Sequence, residues 1–125
     1  MKARVLVLDV LEKKFYYEAE VEELDDFYKH LKCDCFDIAT RRVGDKYFDM
    51  FVDDVGLFAE NPVPSVFNAD TKEPMLVGNV IFANHDAEGN TTSLTDADIC
   101  LIKEHLVITA DKYTSESNIG LMARF

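Results

Sequence analysis

Residues 3–11 read Ala-Arg-Val-Leu-Val-Leu-Asp-Val-Leu, a nearly continuous aliphatic run of strand length. Such a run is typical of a strand that is covered on both faces, because neither set of alternating side chains is mainly polar. Together with the Met1-Lys2 start it resembles a secretion signal, but the apolar run is short, Asp9 interrupts it and no small-residue cleavage site follows. We therefore predict that this stretch is the central strand of a sheet.

The next segment changes from a strand pattern to a helix pattern. Side chains alternate in character, with one face made of Phe15, Tyr17, Ala19 and Val21 and the other of Tyr16, Glu18, Glu20 and Glu22. Apolar residues from Leu24 to Leu31 then recur at i, i+3, i+4 and i+7. We predict a half-buried strand followed by an amphipathic helix over about residues 22–32.

A hairpin is predicted in the middle of the chain. Two β-rich runs, residues 35–43 and 46–52, flank Gly44-Asp45, a pair suited to a type II′ turn. Strand alternation places Phe48, Met50 and Val52 on the inner face.

The remaining chain is less regular. Residues 53–74 are rich in Asn, Asp and Pro and predict a long, largely irregular connection. Residues 75–83 predict another strand, with a bulge or close backbone approach at Gly78. Thr95 and Asp98 have capping-box spacing and predict a helix to about residue 107, whereas residues 108–125 are poorly specified.

These elements predict an α+β domain spanning residues 1–125, with a mainly antiparallel mixed sheet and two helices packed on one side. A chain of 125 residues with 48% apolar residues has the size and composition of one domain. No repeat, linker or charge boundary divides it.

Charge and cysteine content limit the partners and the compartment. Thirteen Lys and Arg against 24 Asp and Glu give a net charge of -11, which disfavours direct binding to nucleic acid or to anionic lipid. No apolar stretch approaches the roughly 20 residues that cross a bilayer. Three cysteines, an odd number, favour a reducing compartment over a disulfide framework. We therefore expect a cytoplasmic protein with neutral or basic partners.

Three segments in the middle of the chain carry a resemblance. They are Asp-Asp-Val-Gly-Leu at 53–57, Asn-Pro-Val-Pro at 61–64 and Leu-Val-Gly-Asn-Val-Ile at 76–81. Together they resemble a domain-of-unknown-function family of short acidic proteins carried by phages and mobile elements. The likeness runs from the first strand to the helix after residues 93–95 and leaves 108–125 outside. It implies provenance and transfers no catalytic residue.

The acidic residues suggest a binding surface. Six carboxylates lie within residues 18–26, and residues 47–102 hold ten acids against the single base Lys72. In a strand, Glu18, Glu20 and Glu22 project from one face about every 6.6 Å, which matches alternate phosphates of DNA. A DNA mimic would bind a host protein with a basic surface through Glu18, Glu20, Glu22, Glu23, Asp25 and Asp26, with Asp49, Asp53 and Asp54 as a second patch. The alternative is an acidic exterior that serves only solubility.

Metal-binding and catalytic signatures are weak. His30, Cys33 and Cys35 could supply three zinc ligands, but a fourth is missing nearby, and buried thiols are the simpler interpretation. Cys100 and His105 are five positions apart and fall on different helix faces. We expect no metal, no cofactor and no enzymatic activity, although an active site assembled from distant residues leaves no local signature.

A second functional hypothesis is the sequestration of a small nucleotide signal. The connection over residues 56–78 carries Phe58 and Phe67, which could close over a ligand, and Arg41 or Arg42 would bind its charge. Alternation sends the two arginines to opposite faces, so that only one enters a given pocket. The structural alternative is that both aromatic rings belong to the core. The sequence does not predict an oligomeric state.

Overall fold

The computed structural model describes residues 2–12, 15–33, 35–53, 63–110 and 117–124. These ranges contain the following helices and strands: β1 Ala3–Asp9, β2 Phe15–Val21, α1 Leu24–Leu31, β3 Phe36–Val43, β4 Lys46–Asp53, β5 Pro64–Asn68, β6 Pro74–Val77, β7 Val80–His85, β8 Thr91–Thr92, α2 Asp96–Glu104, β9 Leu106–Ala110 and β10 Ser117–Ala123.

The main sheet has the strand order β2-β1-β7-β4-β3, and β8 pairs with the end of β7. All of its pairs are antiparallel. The aliphatic strand β1 lies between β2 and β7, where Val7 is opposite Tyr17 on one side and Ile81 on the other. The run is an interior strand, but the prediction that it is the central strand is wrong, because β7 holds the middle position of the sheet.

The predicted hairpin is also confirmed. Val43 pairs with Lys46 across the turn, and Gly44 has a positive φ of 64°. A type II′ turn requires this conformation at its first central residue, which explains the glycine. Phe48, Met50 and Val52 are buried on the inner face as expected.

The predicted strand over residues 75–83 is instead two strands in different sheets. The chain turns at Gly78, which has a φ of 78° and donates its backbone N–H to the Val63 carbonyl at 2.8 Å. Glycine adopts positive φ without the steric cost that a Cβ imposes. The continuous apolar pattern therefore concealed a change of sheet.

The second sheet has the order β6-β5-β10-β9 and includes the chain's last described strand. Two segments predicted to be irregular or unspecified, 53–74 and 108–125, supply β5 and β10, which pair in parallel. Ser65 and Val66 in β5 and Leu121 in β10 are fully buried. Parallel pairing of distant segments has no local turn signal, so the sequence did not predict this sheet.

The helices cover opposite faces of the main sheet. On α1, Phe27 and Leu31 pack with Val5, Val7, Phe51 and Ile81. On α2, Ile99 and Ile102 pack with Leu6, Leu8 and Phe82 and with Val66 and Leu121 of the second sheet. The predicted α+β class is confirmed, but the two helices do not lie on one side. Because β1 is aliphatic at both alternating positions, each of its faces requires a cover.

The start of α2 follows the predicted capping box. Thr95 Oγ1 accepts the Asp98 N–H at 3.1 Å, and Asp98 Oδ2 accepts the Thr95 N–H at 2.9 Å. Neither described helix has the length and apolar character needed to cross a membrane.

Candidate functional site

Strand β2 places Glu18 and Glu20 on the face of the sheet that α2 covers, because their partners across the sheet are Leu6 and Arg4. The Arg4 guanidinium forms ion pairs with Glu18 Oε1 at 2.5 Å and with Asp96 Oδ1 at 2.6 Å. Both contacts raise the pKa of Arg4, and the hydrogen bond to Asp96 has the larger effect. Lys2 Nζ is 3.9 Å from Glu20 Oε2. Basic side chains thus partly neutralise this pair of carboxylates.

The other four acids of residues 18–26 surround the start of α1. Asp26 Oδ2 accepts the backbone N–H groups of Glu22 at 2.8 Å and Glu23 at 3.1 Å, and these two bonds lower the pKa of Asp26. Asp25 lies in the same first turn, where negative charge complements the helix dipole. Glu22, Glu23 and Asp25 are exposed. The predicted row of Glu18, Glu20 and Glu22 is therefore not continuous, because the first two lie on β2 and Glu22 lies at the start of α1.

A second acidic segment meets the helix start. In the loop after β7, Asp86 Oδ1 accepts the N–H groups of Asn90 at 2.9 Å and Glu88 at 3.0 Å. These bonds, led by the one from Asn90, lower the pKa of Asp86. Gly89 closes the turn with a φ of 85°. The loop is therefore an ordered turn with its carboxylates at the surface.

A cavity of about 400 Å³ joins the two acidic segments. It is lined by Ala3, Val21, Glu22, Phe27, Asp86, Asn90, Thr91 and Thr92. Two carboxylates, Glu22 and Asp86, line the cavity. We call these two, with their sequence neighbours Glu23, Asp25, Asp26 and Glu88, the acidic face. No local signal in residues 86–90 indicates that this loop lies beside a helix more than fifty residues earlier.

The described residues of the second predicted acidic patch, Asp49 and Asp53, are not part of this face. Asp49 is 7% exposed, and its carboxylate accepts the Thr40 hydroxyl at 2.9 Å and contacts His85 Nδ1 at 2.8 Å. Asp53 is half-buried at the end of β4. Asp54 lies outside the described residues. Asp49 therefore offers little charge to a partner and instead connects β3, β4 and β7.

The residues proposed for ligand sequestration are distributed over several places. Arg41 is opposite Phe48 and Arg42 is opposite Tyr47, so that the two point to different faces as alternation predicts. Burial lowers the pKa of Arg41, and its Nη1 donates to the Thr40 carbonyl at 2.9 Å.

Of the two aromatic residues in the sequestration hypothesis, Phe67 is described and Phe58 is not. Phe67 lies on β5, and a Cβ added to Gly120 would stand 2.5 Å from its ring, so the ring packs directly over this glycine. Phe67 is half-buried. Phe58 is outside the described residues.

The described residues of the proposed zinc cluster, His30, Cys33 and Cys35, do not form a metal site. His30 Nδ1 and the Tyr17 hydroxyl share a hydrogen bond of 2.8 Å, Cys33 is half-buried and Cys35 is exposed. Over the described ranges, no three His, Cys, Asp or Glu side chains are grouped as metal ligands. Cys100 is exposed on α2, and His105 Nδ1 donates to the Leu101 carbonyl at 2.9 Å.

Comparisons with known proteins give a family and no function. No curated protein and no solved structure matches the chain. A family model described as "Domain of unknown function (DUF3846)" matches residues 1–107, from β1 through the start of β9. This range agrees with the resemblance seen in the sequence, which left residues 108–125 outside. The chain therefore belongs to the DUF3846 family.

Proposed function

We propose that the chain is a non-enzymatic accessory protein of a phage or mobile element, and that its acidic face occupies the basic site of a host nucleic-acid-binding or defence protein. The phage context rests on the sequence resemblance. The observation that carries the proposal is the cavity that Glu22 and Asp86 line together, because it combines carboxylates from two distant segments into one surface.

The geometry supports charge mimicry at this face better than along β2. Glu18 and Glu20 of β2 are partly neutralised by Arg4 and Lys2, which reduces the charge available to a partner. At the helix start the hydrogen bonds to Asp26 lower its pKa and hold it ionised. Asp86 is held ionised in the same way. These two carboxylates therefore carry the fixed negative charge that a phosphate backbone also presents.

Binding to the partner should depend on these carboxylates and on salt. We expect that capture from host lysate yields a nucleic-acid-binding protein, and that duplex DNA competes with the chain for the purified partner. The triple substitution Glu22→Gln, Glu23→Gln and Asp25→Asn should weaken binding about tenfold or more at low salt, because each lost charge removes attraction across the interface. It retains Asp26 and Asp86, which have structural hydrogen bonds.

A matched control separates the acidic face from net charge. The substitutions Asp70→Asn, Glu73→Gln and Glu104→Gln remove three exposed carboxylates outside this face, and they should change affinity less than about twofold. Titrations in low and high salt complete the test, since screening weakens charge contacts. Equal loss in both triple variants, or binding that salt leaves unchanged, would contradict charge mimicry at this face.

A further inference from the structure

A second cavity lies at the opposite end of α1 and has the opposite chemical character. Its volume is about 440 Å³, within the usual range for small-molecule pockets of about 300–1,000 Å³. Tyr17 of β2 and Lys29, His30 and Lys32 at the end of α1 line it. Three basic side chains in one cavity are notable in a chain that has 24 acids and 13 bases.

The hydrogen bonds around this cavity reduce the repulsion that a helix carboxyl end normally exerts on an anion. The Tyr28 carbonyl accepts the N–H groups of Lys32 at 2.8 Å and Cys33 at 3.3 Å. The His30 carbonyl accepts the side-chain amide of Asn79 at 3.0 Å. Because these carbonyl groups are already satisfied, less negative potential extends into the cavity.

Hydrogen bonds of the buried Asn79 side chain fix the end of α1 beside the cavity. Asn79 is fully buried, and its Oδ1 accepts the N–H groups of Val10 at 3.0 Å and Leu11 at 3.1 Å. The same side chain therefore ties the end of β1 to the end of α1. Lys32, at a left-handed φ of 57°, then directs the chain away from the helix. The basic residues thus project from a rigid support, which lowers the entropic cost of binding.

Both lysines and carboxylates contribute to the charge around the cavity. Burial is the main cause that lowers the pKa of His30; Lys29 and Lys32 also lower it, whereas Asp26 and Asp9 act to raise it. Lys32 Nζ contacts Glu12 Oε1 at 2.6 Å, but both side chains are partly exposed, and exposed ion pairs are weak. Asp9 is buried nearby and accepts the Glu12 N–H at 2.9 Å. A dianion can therefore compete with Glu12 for Lys32.

We propose that this cavity binds the phosphate group of a small phosphate monoester, with the ammonium groups of Lys29 and Lys32 opposite its charge and the Tyr17 and His30 side chains against its organic part. Lysine is a point-charge ligand for phosphate and imposes no planar geometry. Two ammonium groups match a dianionic phosphate better than a monovalent carboxylate. The site supplies the cationic anchor that a nucleotide ligand requires, at a place different from Arg41 and Arg42.

Binding of defined probes to the full chain tests the proposal. We expect saturable binding of inorganic phosphate and of adenosine monophosphate, measured by calorimetry and by chemical-shift changes of the His30 ring, at concentrations up to about 10 mM. Adenosine, which lacks the phosphate, should bind at least about tenfold more weakly, since it cannot form the charge-assisted hydrogen bonds to the lysines. Inorganic phosphate and adenosine together separate the contributions of the anion and of the base.

Matched lysine variants assign the binding to the cavity. Lys29→Gln should weaken binding of adenosine monophosphate about tenfold, and Lys32→Gln provides a second variant if the first fails to fold. Lys103→Gln removes the same charge from an exposed position at the end of α2 and should change affinity less than about twofold. Absence of saturable binding, equal affinity for adenosine, or equal loss in the Lys103 variant would each overturn the proposal.

Discussion

At the scale of single residues, Asn79 joins two secondary structure elements through one buried side chain. Replacing it with Ala would leave the Val10 and Leu11 N–H groups and the His30 carbonyl without their partner. An unsatisfied group costs about 1–3 kcal/mol when it is fully buried, and of these three only the Val10 N–H is, so we expect Asn79→Ala to lower the free energy of unfolding by about 2–4 kcal/mol in total. Urea unfolding monitored by circular dichroism measures this loss.

Asn90→Ala is the matched control for that prediction. Asn90 is exposed, and the bond from its backbone N–H to Asp86 does not depend on its side chain. Its replacement should therefore cost less than about 1 kcal/mol. Similar losses at the two positions would show that Asn79 does not have the structural role that its hydrogen bonds indicate.

At the scale of elements, the start of α2 is bound to the hairpin through Asp98. Burial acts to raise the pKa of this carboxyl and is the largest single influence, but hydrogen bonds from Lys46, Thr95 and Asn84 together outweigh it and lower the pKa to about 2. Lys46 Nζ is 2.5 Å from Oδ1, and Asn84 Nδ2 is 2.8 Å from Oδ2. The capping box therefore extends into a contact with two strands.

This lowered pKa makes the stability of the protein depend on acidity. A carboxyl whose pKa falls from 3.8 to about 2 on folding contributes about 2 kcal/mol above about pH 4, and this contribution is lost as the pH falls towards 2. Asp98→Asn should thus destabilise the protein by about 2 kcal/mol at pH 7 and hardly at all at pH 2.

Urea unfolding of both proteins over this pH range measures the effect. Asp96→Asn, an exposed position in the same helical turn, should cost less than about 1 kcal/mol. A difference between wild type and Asp98→Asn that stays constant with pH would contradict the assigned role of the carboxylate.

At the scale of the whole molecule, one cluster of buried side chains connects the two sheets. Leu121 of β10 is fully buried in the cluster that also contains Met50, Phe82 and Ile102. We therefore expect one cooperative unfolding transition, and Leu121→Ala should lower the free energy of unfolding by about 2–5 kcal/mol while keeping that single transition. Coincident melting curves from near-ultraviolet and far-ultraviolet circular dichroism check this. Two separate transitions would instead indicate that the sheets are independent units.

Several local features were predictable from the sequence because each depends on neighbouring residues. The aliphatic run of β1, the glycine of the β3–β4 turn and the Thr95-Asp98 capping box are of this kind. The acidic character of the helix start was also evident from residues 18–26. These signals arise from side-chain periodicity, turn conformation and the free N–H groups of a helix start, all of which act within a few residues.

Only the tertiary structure decided which segments meet. It placed the two helices on opposite faces, buried Asp49, paired β5 with β10 and brought the Asp86 loop to the start of α1. It also grouped Tyr17 with three basic residues in a cavity. Contacts between distant residues follow from strand order and from the burial of apolar faces, which are properties of the whole chain. The sequence by itself therefore determined the class, the main local elements and the excess of negative charge, while the structure determined which of the charged residues lie beside one another.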